Sequence, residues 1–211
     1  KEISEAQKKT VQKVLNGILL SDYEWWLKRI PHMSAPEQLM NLQLAIPTLK
    51  QLSPQQYTTI RTAIRSLIDA DHVVELNEFV IYSMVCRQLD VVFGLRRPST
   101  GNGVMDLSMF RAATVVFSRL AYAGSADINI QRKAFRHGIQ EFGVADADLL
   151  QPPMCENPLL QNALTRLDTL DINWKRHFLR ACESVIMYDH VETDGEAVLF
   201  YGISATLGIY N

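Results

Sequence analysis

The sequence predicts an all-α fold of about nine or ten helices, and three observations carry that prediction. Apolar residues recur at intervals of three and four rather than two along nearly the whole chain, the period of helices that each turn one face to a core. The breaks between these runs fall at helix-stop and helix-start chemistry, as at Ser53-Pro54, Gly124 and Gln151-Pro152-Pro153. Part of the pattern also occurs twice. Asp71-His72-Val73 with Glu78 returns as Asp189-His190-Val191 with Glu196, an offset of 118 (189 − 71). Aligned without a gap, residues 38–90 and 156–208 share 14 identical residues in 53, where unrelated segments give about three, so the chain reads as two related helical units joined by a middle segment.

Taken in order, Ile3 to Leu20 places Val11, Val14, Leu15, Ile18 and Leu19 on one side, and Ser21-Asp22 turns the chain into Tyr23-Glu24-Trp25-Trp26-Leu27. A helix from about Pro36 to Leu52 aligns Leu39, Leu42, Ile46 and Leu49, with Pro47 as a kink. Ser53 as N-cap and Pro54 at the first helical position start the next, which turns Tyr57, Ile60, Ile64, Leu67 and Ile68 inward and ends near Asp71. Another spans about Leu76 to Leu89, and Arg96 to Gly103 is the clearest loop. It separates an expected domain over 1–95 from one over 104–211. Asp106 to Ala123 forms a face of Leu107, Phe110, Ala113, Phe117 and Leu120, and a helix from Ala126 or Asp127 to Phe142 follows. The second unit supplies helices near Pro158–Thr169, Ile172–Tyr188 and Asp194–Leu207, and no convincing strand is found.

At 211 residues and 47% apolar content, the chain can bury a sizeable core as one large domain or two small ones. Its apolar runs are far short of the roughly 20 residues that cross a bilayer, and no signal peptide opens it. It starts at Lys1 rather than Met, as a piece of a longer or processed protein would. With 21 basic against 23 acidic residues, it lacks the footprint of a nucleic-acid binder. Cys86, Cys155 and Cys182, odd in number and widely spaced, fit reduced cytoplasmic thiols, with Cys86 and Cys182 as small core hydrophobes.

The repeated junction is the main chemical feature. Thr193-Asp194-Gly195-Glu196 is a capping box, which gives Glu196 a structural reason. Asp189 leaves the preceding helix, His190 falls where left-handed backbone is needed, and Val191 plugs the gap between helices. Asp71, His72, Val73 and Glu78 should act alike in the first copy, with Glu75 a poorer cap than Thr193. The sharper reading makes Asp71, His72, Glu78, Asp189, His190 and Glu196 metal ligands or acid/base pairs. That needs the junctions, or one junction and a carboxylate from elsewhere, to converge on one ion. No EF-hand oxygen series, H-E-x-x-H pair, Gly-x-Ser-x-Gly elbow, phosphate loop or Cys-x-x-Cys occurs. His32, His137 and His177 read as solvated or partly buried structural residues. Tyr23, Trp25 and Trp26 form either an aromatic contact for a partner or a wedge between helices. Lys175-Arg176-His177 with Arg180 is either a site for anionic lipid or an acidic partner, or a solvated edge.

A helix ending in Asp, a short turn, and a Glu in the next helix resembles the TerB-like helical domain of tellurite-resistance proteins, whose form is Ala-Asp-Gly-x-Val-x-x-x-Glu. Ala70, Asp71, Val74 and Glu78 match it, with His72 in the glycine place; the second copy keeps Asp189 and Glu196. Over roughly Leu39–Asn211, the stretches Ala45–Tyr57, Leu67–Asp71 through Phe79, and Leu167–Leu170 through Ile186 to Gly208 are similar to the soluble C-terminal region of bacterial membrane-bound HtpX-like zinc metallopeptidases. That resemblance implies a non-catalytic regulatory or protein-interaction domain at the cytosolic face of the inner membrane. Any zinc would belong to an upstream peptidase domain and no cofactor to this chain. The partner would be that peptidase domain or another protein, or a second copy in a homo-oligomer. The alternative is a metal-binding or metal-sensing TerB-like domain in a stress or tellurite-resistance setting.

Overall fold

The computed structural model describes residues 32–69, 75–99, 101–143 and 147–209, together with Lys9, Val11, Trp25, Lys28 and Arg29. Eight α-helices run through the described residues: α1 Ala35–Leu49, α2 Pro54–Ile68, α3 Leu76–Leu89, α4 Leu107–Gly124, α5 Ile128–Glu141, α6 Asn157–Leu167, α7 Ile172–Ile186 and α8 Asp194–Leu207. Short 3-10 turns occupy Pro152–Cys155 and Met187–Asp189. Nine or ten helices were expected. The expected Ile3–Leu20 helix and the Tyr23–Leu27 segment lie outside the described residues, except that Lys9, Val11 and Trp25 are helical.

The helix starts follow local chemistry. Ser34 and Ser53 each accept a bond from the amide three residues on, and the side chains of Glu37 and Gln56 accept the cap amide in return, so α1 and α2 begin on complete capping boxes. Asp106, Asp127 and Asp171 cap α4, α5 and α7 with their carboxylates. Several expected ends shift inward. The helix expected to Leu52 stops at Leu49, and the one expected to Tyr188 stops at Ile186 and tightens into the 3-10 turn.

The chain separates into two compact units, Lys1–Arg97 and Pro98–Asn211. In the first, α1 and α2 both pack on α3. Its core holds Ile46, Tyr57, Val85 and Leu89, with Leu42, Leu49, Ile64 and Phe93 against them. In the second, α4 is the hub on which α5, α6, α7 and α8 all pack. Phe117, Phe142 and Phe178 meet there as an aromatic core, each pair within 5.6 Å between ring centroids. Of the α4 face expected to be inward, Ala113, Phe117 and Leu120 are buried and Phe110 half-buried, but Leu107 is exposed. Leu107 is the first residue of its helix, where the apolar stripe begins.

Two glycines in the second unit are set by close approach. At Gly138, where α5 crosses α7, an added Cβ would collide with the Val185 side chain and come within 3.1 Å of the Ala181 carbonyl. At Gly103 it would lie 2.6 Å from the Thr169 carbonyl, which accepts the Gly103 amide at 2.8 Å. This pairing makes the isolated bridge Gly103–Leu170.

Candidate functional site

The second junction starts where α7 runs out of helix. The His190 amide donates to the Met187 carbonyl at 3.2 Å, and His190 itself adopts φ 61°, ψ 19°. Among the described non-glycine residues it alone has positive φ, the left-handed state that a flexible polar side chain tolerates and a β-branched one does not. Asp189 Oδ1 accepts the Val191 amide at 3.1 Å, which closes the turn. Val191 does not plug a gap, as expected from the sequence: it is 61% exposed. The left-handed step at His190 turns the chain outward before α8 begins.

Thr193 then caps α8. Its hydroxyl oxygen accepts the Glu196 amide at 3.2 Å, and Glu196 Oε2 accepts the Thr193 amide at 3.0 Å. The one Thr193 hydroxyl proton faces two acceptors, Glu196 Oε2 at 2.9 Å and the Ala123 carbonyl at 3.1 Å. The second acceptor ties this cap to the end of α4. Glu196 is 3% exposed, and its carboxyl occupies the space that a side chain at Gly124 would need. Burial pushes its pKa up, the bonds from Thr193 pull it down, and Asp189 and Glu192 push it up further.

In the first unit, α2 is capped by Asp69, which Arg65 Nε reaches at 2.8 Å. Asp71, His72, Val73 and Val74 lie outside the described residues. Glu78 Oε2 accepts the Glu75 amide at 3.1 Å, the counterpart of the Glu196 bond to Thr193. Glu78 is half-buried, Glu196 fully so. Among the described residues no three His, Cys, Asp or Glu side chains are grouped so as to hold a metal ion. Asp189 and Glu196 are both engaged in closing the junction, and His190 is exposed beside them.

Of the aromatic candidates, Trp25 is half exposed, with the Arg29 guanidinium 3.5 Å from its ring centroid. Tyr23 and Trp26 lie outside the described residues. The Lys175-Arg176-His177-Arg180 cluster is broken up by the fold. Lys175 is 6% exposed, and its ammonium donates to Asp168 Oδ1 at 2.8 Å and to the Leu207 carbonyl at 3.1 Å. It therefore ties the ends of α6 and α8 to α7 and is no part of a surface. His177 is half-buried and stacked on Phe142 at 5.4 Å, whereas Arg176 and Arg180 are exposed. His137 Nδ1 lies 3.0 Å from the Ser184 carbonyl, and its ring packs on Tyr188.

A polar cluster in the first unit has no signal in the sequence. Tyr57 donates its hydroxyl proton to Asp90 Oδ1 at 2.6 Å, and Arg61 reaches both oxygens of that carboxylate, at 2.9 and 3.2 Å. Phe93 stacks on Tyr57 at 4.4 Å. Burial and the bond to Asp90 push the Tyr57 phenol well above its ordinary range. Tyr57 reads from the sequence as one more inward residue of α2, and its partner 33 positions away follows no local spacing. Burial likewise pushes up the thiols of Cys86, Cys155 and Cys182, which makes them weak nucleophiles. The buried polar groups thus act as ties between helices.

No protein-family model matches this chain, and neither a curated protein nor a solved structure matches it.

Proposed function

We propose that the chain is a non-catalytic regulatory or protein-interaction domain built from two related TerB-like helical units, belonging to a membrane-anchored zinc metallopeptidase of the HtpX-like class. The observation that carries the reading is a repetition of helix limits. Helices α2 and α7 begin and end 118 residues apart (Pro54 and Ile172, Ile68 and Ile186), and so do α3 and α8 (Leu76 and Asp194, Leu89 and Leu207). The amide-to-glutamate bond that starts the later helix of each pair keeps the same spacing, Glu75 to Glu78 and Thr193 to Glu196. The positions that repeat are core residues and helix caps, the parts that build a scaffold. The use of Asp189, Glu196, Lys175 and Tyr57 as ties points the same way.

On this reading zinc is held by an upstream H-E-x-x-H helix at the membrane, and this domain recruits substrates or holds protomers on the cytosolic side. The test is the reading frame 5′ of the Lys1 codon. Several apolar spans and an H-E-x-x-H motif there support the reading; a start codon close to Lys1 with neither feature refutes it.

A further inference from the structure

Helices α6, α7 and α8 end 118 residues after α1, α2 and α3 (Leu49 and Leu167, Ile68 and Ile186, Leu89 and Leu207). Their pairing repeats as well: α1 and α2 pack on α3, as α6 and α7 pack on α8. Their burial does not repeat. Leu42 and Leu49 on α1, Ile60 on α2, and Glu78 and Ile81 on α3 are half-buried, and Ala45 on α1 is exposed. The residues 118 positions later, Leu160, Leu167, Phe178, Glu196, Leu199 and Ala163, are at most 6% exposed. What the second unit adds is α4, which packs on all three of its helices. Phe117 of α4 stacks on Phe178 at 5.3 Å, and the Glu196 carboxyl lies against Gly124 at the end of α4. The full helices described in the first unit are α1, α2 and α3, and none of them is a counterpart of α4.

The buried face of α4 includes Ala113, Val116, Phe117, Leu120 and Ala121. Val11, Val14, Leu15, Ile18 and Leu19 repeat that spacing 102 positions earlier (113 − 11), as an apolar stripe of helical period. Two residues of this segment are described, and they agree with α4 in phase. Val11 is helical and half-buried, and Lys9 is helical and exposed, as Arg111 is at the matching place on α4. The other residues of the stripe lie outside the described ones. From Leu20 to the Ser34 cap is 14 residues (34 − 20), a tether that reaches up to roughly 45 Å. Helix α1, at 15 residues, is only about 22 Å long, so the segment can reach any part of α1–α3 at the high effective concentration a short linker gives.

We propose that the half-buried apolar positions of α1, α2 and α3 form a docking surface for the chain's own segment Val11–Leu19, which lies on these helices as α4 lies on α6, α7 and α8. Leu15 then stands over Ile60 where Phe117 stands over Phe178. While the segment is held there, this surface is closed to other proteins. The proposal uses the repeated helix limits but not the peptidase reading, which the upstream reading frame tests separately.

The test places a photoreactive p-benzoylphenylalanine at Leu15 of the full chain and maps the cross-linked peptides by mass spectrometry. Cross-links are expected within one chain, to residues 35–89. Cross-links to residues 98–211 overturn the proposal, as do cross-links between two chains, which make a second copy the occupant. If the bulky residue gives no cross-link, hydrogen exchange of the unsubstituted full chain decides. Amides of residues 11–19 should exchange at least about 100-fold more slowly than a free chain, and exchange at the free-chain rate overturns the proposal. Leu15→Asp in the full chain should speed the slowest α1 and α2 amides by about 30-fold or more, with those of α4–α8 unchanged. Unchanged exchange in α1 and α2 shows that the segment does not rest on them.

Discussion

Replacing Lys175 by Met tests the claim that the second unit is held by a buried ion pair rather than by apolar packing alone. The methionine keeps most of the apolar stem and removes the ammonium. The Lys175 and Asp168 side chains are 8% and 1% exposed and meet at 2.8 Å, so water cannot replace the lost partner at Asp168. The Leu207 carbonyl, at the end of α8, loses its donor in the same step. Removing one member of such a pair costs about 3–5 kcal/mol, a large share of the roughly 5–15 kcal/mol that holds an ordinary domain together. Equilibrium urea unfolding at neutral pH, read by circular dichroism, measures it. Lys175→Met should lower the midpoint with little change in slope. Asp168→Asn added to Lys175→Met should recover part of the loss, because the uncompensated charge is then gone. A cost below about 1 kcal/mol, the range of exposed pairs, would refute the argument, as would strictly additive single and double variants.

Three other expectations follow from particular contacts. The Glu196 pKa is raised above its ordinary value, so the folded state binds that proton more tightly than the unfolded state, and this carboxyl destabilises the fold above its folded pKa. As pH falls from that pKa toward the ordinary value the destabilisation disappears. Glu196→Gln, which can still accept the Thr193 amide, should therefore gain most over the wild type near pH 7.5, and the gain should shrink toward pH 4.5; a gap that widens on acidification, followed by thermal melts, contradicts this. Gly138→Ala should destabilise by about 1–3 kcal/mol because Val185 and the Ala181 carbonyl must move, and a melting temperature equal to the wild type would show the crossing to be loose. If the proposed interaction role holds, Trp25→Ala with Trp26→Ala should weaken binding of a partner protein while leaving the melting temperature within a few degrees; a large loss of thermal stability would instead make the pair a core wedge.

Much of the helical layout was legible in the sequence because its causes are local. A side-chain oxygen three residues before a free amide favours a helix start, and Ser53, Asp106 and Thr193 supply one wherever they fold. The limits of α3 and α8 were readable from the apolar period, with the Thr193 cap added at α8, and the left-handed turn at His190 from its place at a helix exit. The capping box likewise explained Glu196 from its neighbours, but not its burial against Gly124, which arrives from 72 positions away (196 − 124). Lys175 shows the limit most clearly. In sequence it stands beside Arg176 and Arg180 as a basic cluster, yet one position on a helix is 100° of rotation, so packing sends Lys175 inward to Asp168 while its neighbours face water. Tyr57 finds Asp90 only because α2 and α3 pack together. Local hydrogen bonding and the apolar period determine where helices lie in the chain. Which polar residues become ties and which stay on the surface depends on what each helix meets, and that is decided by the tertiary structure.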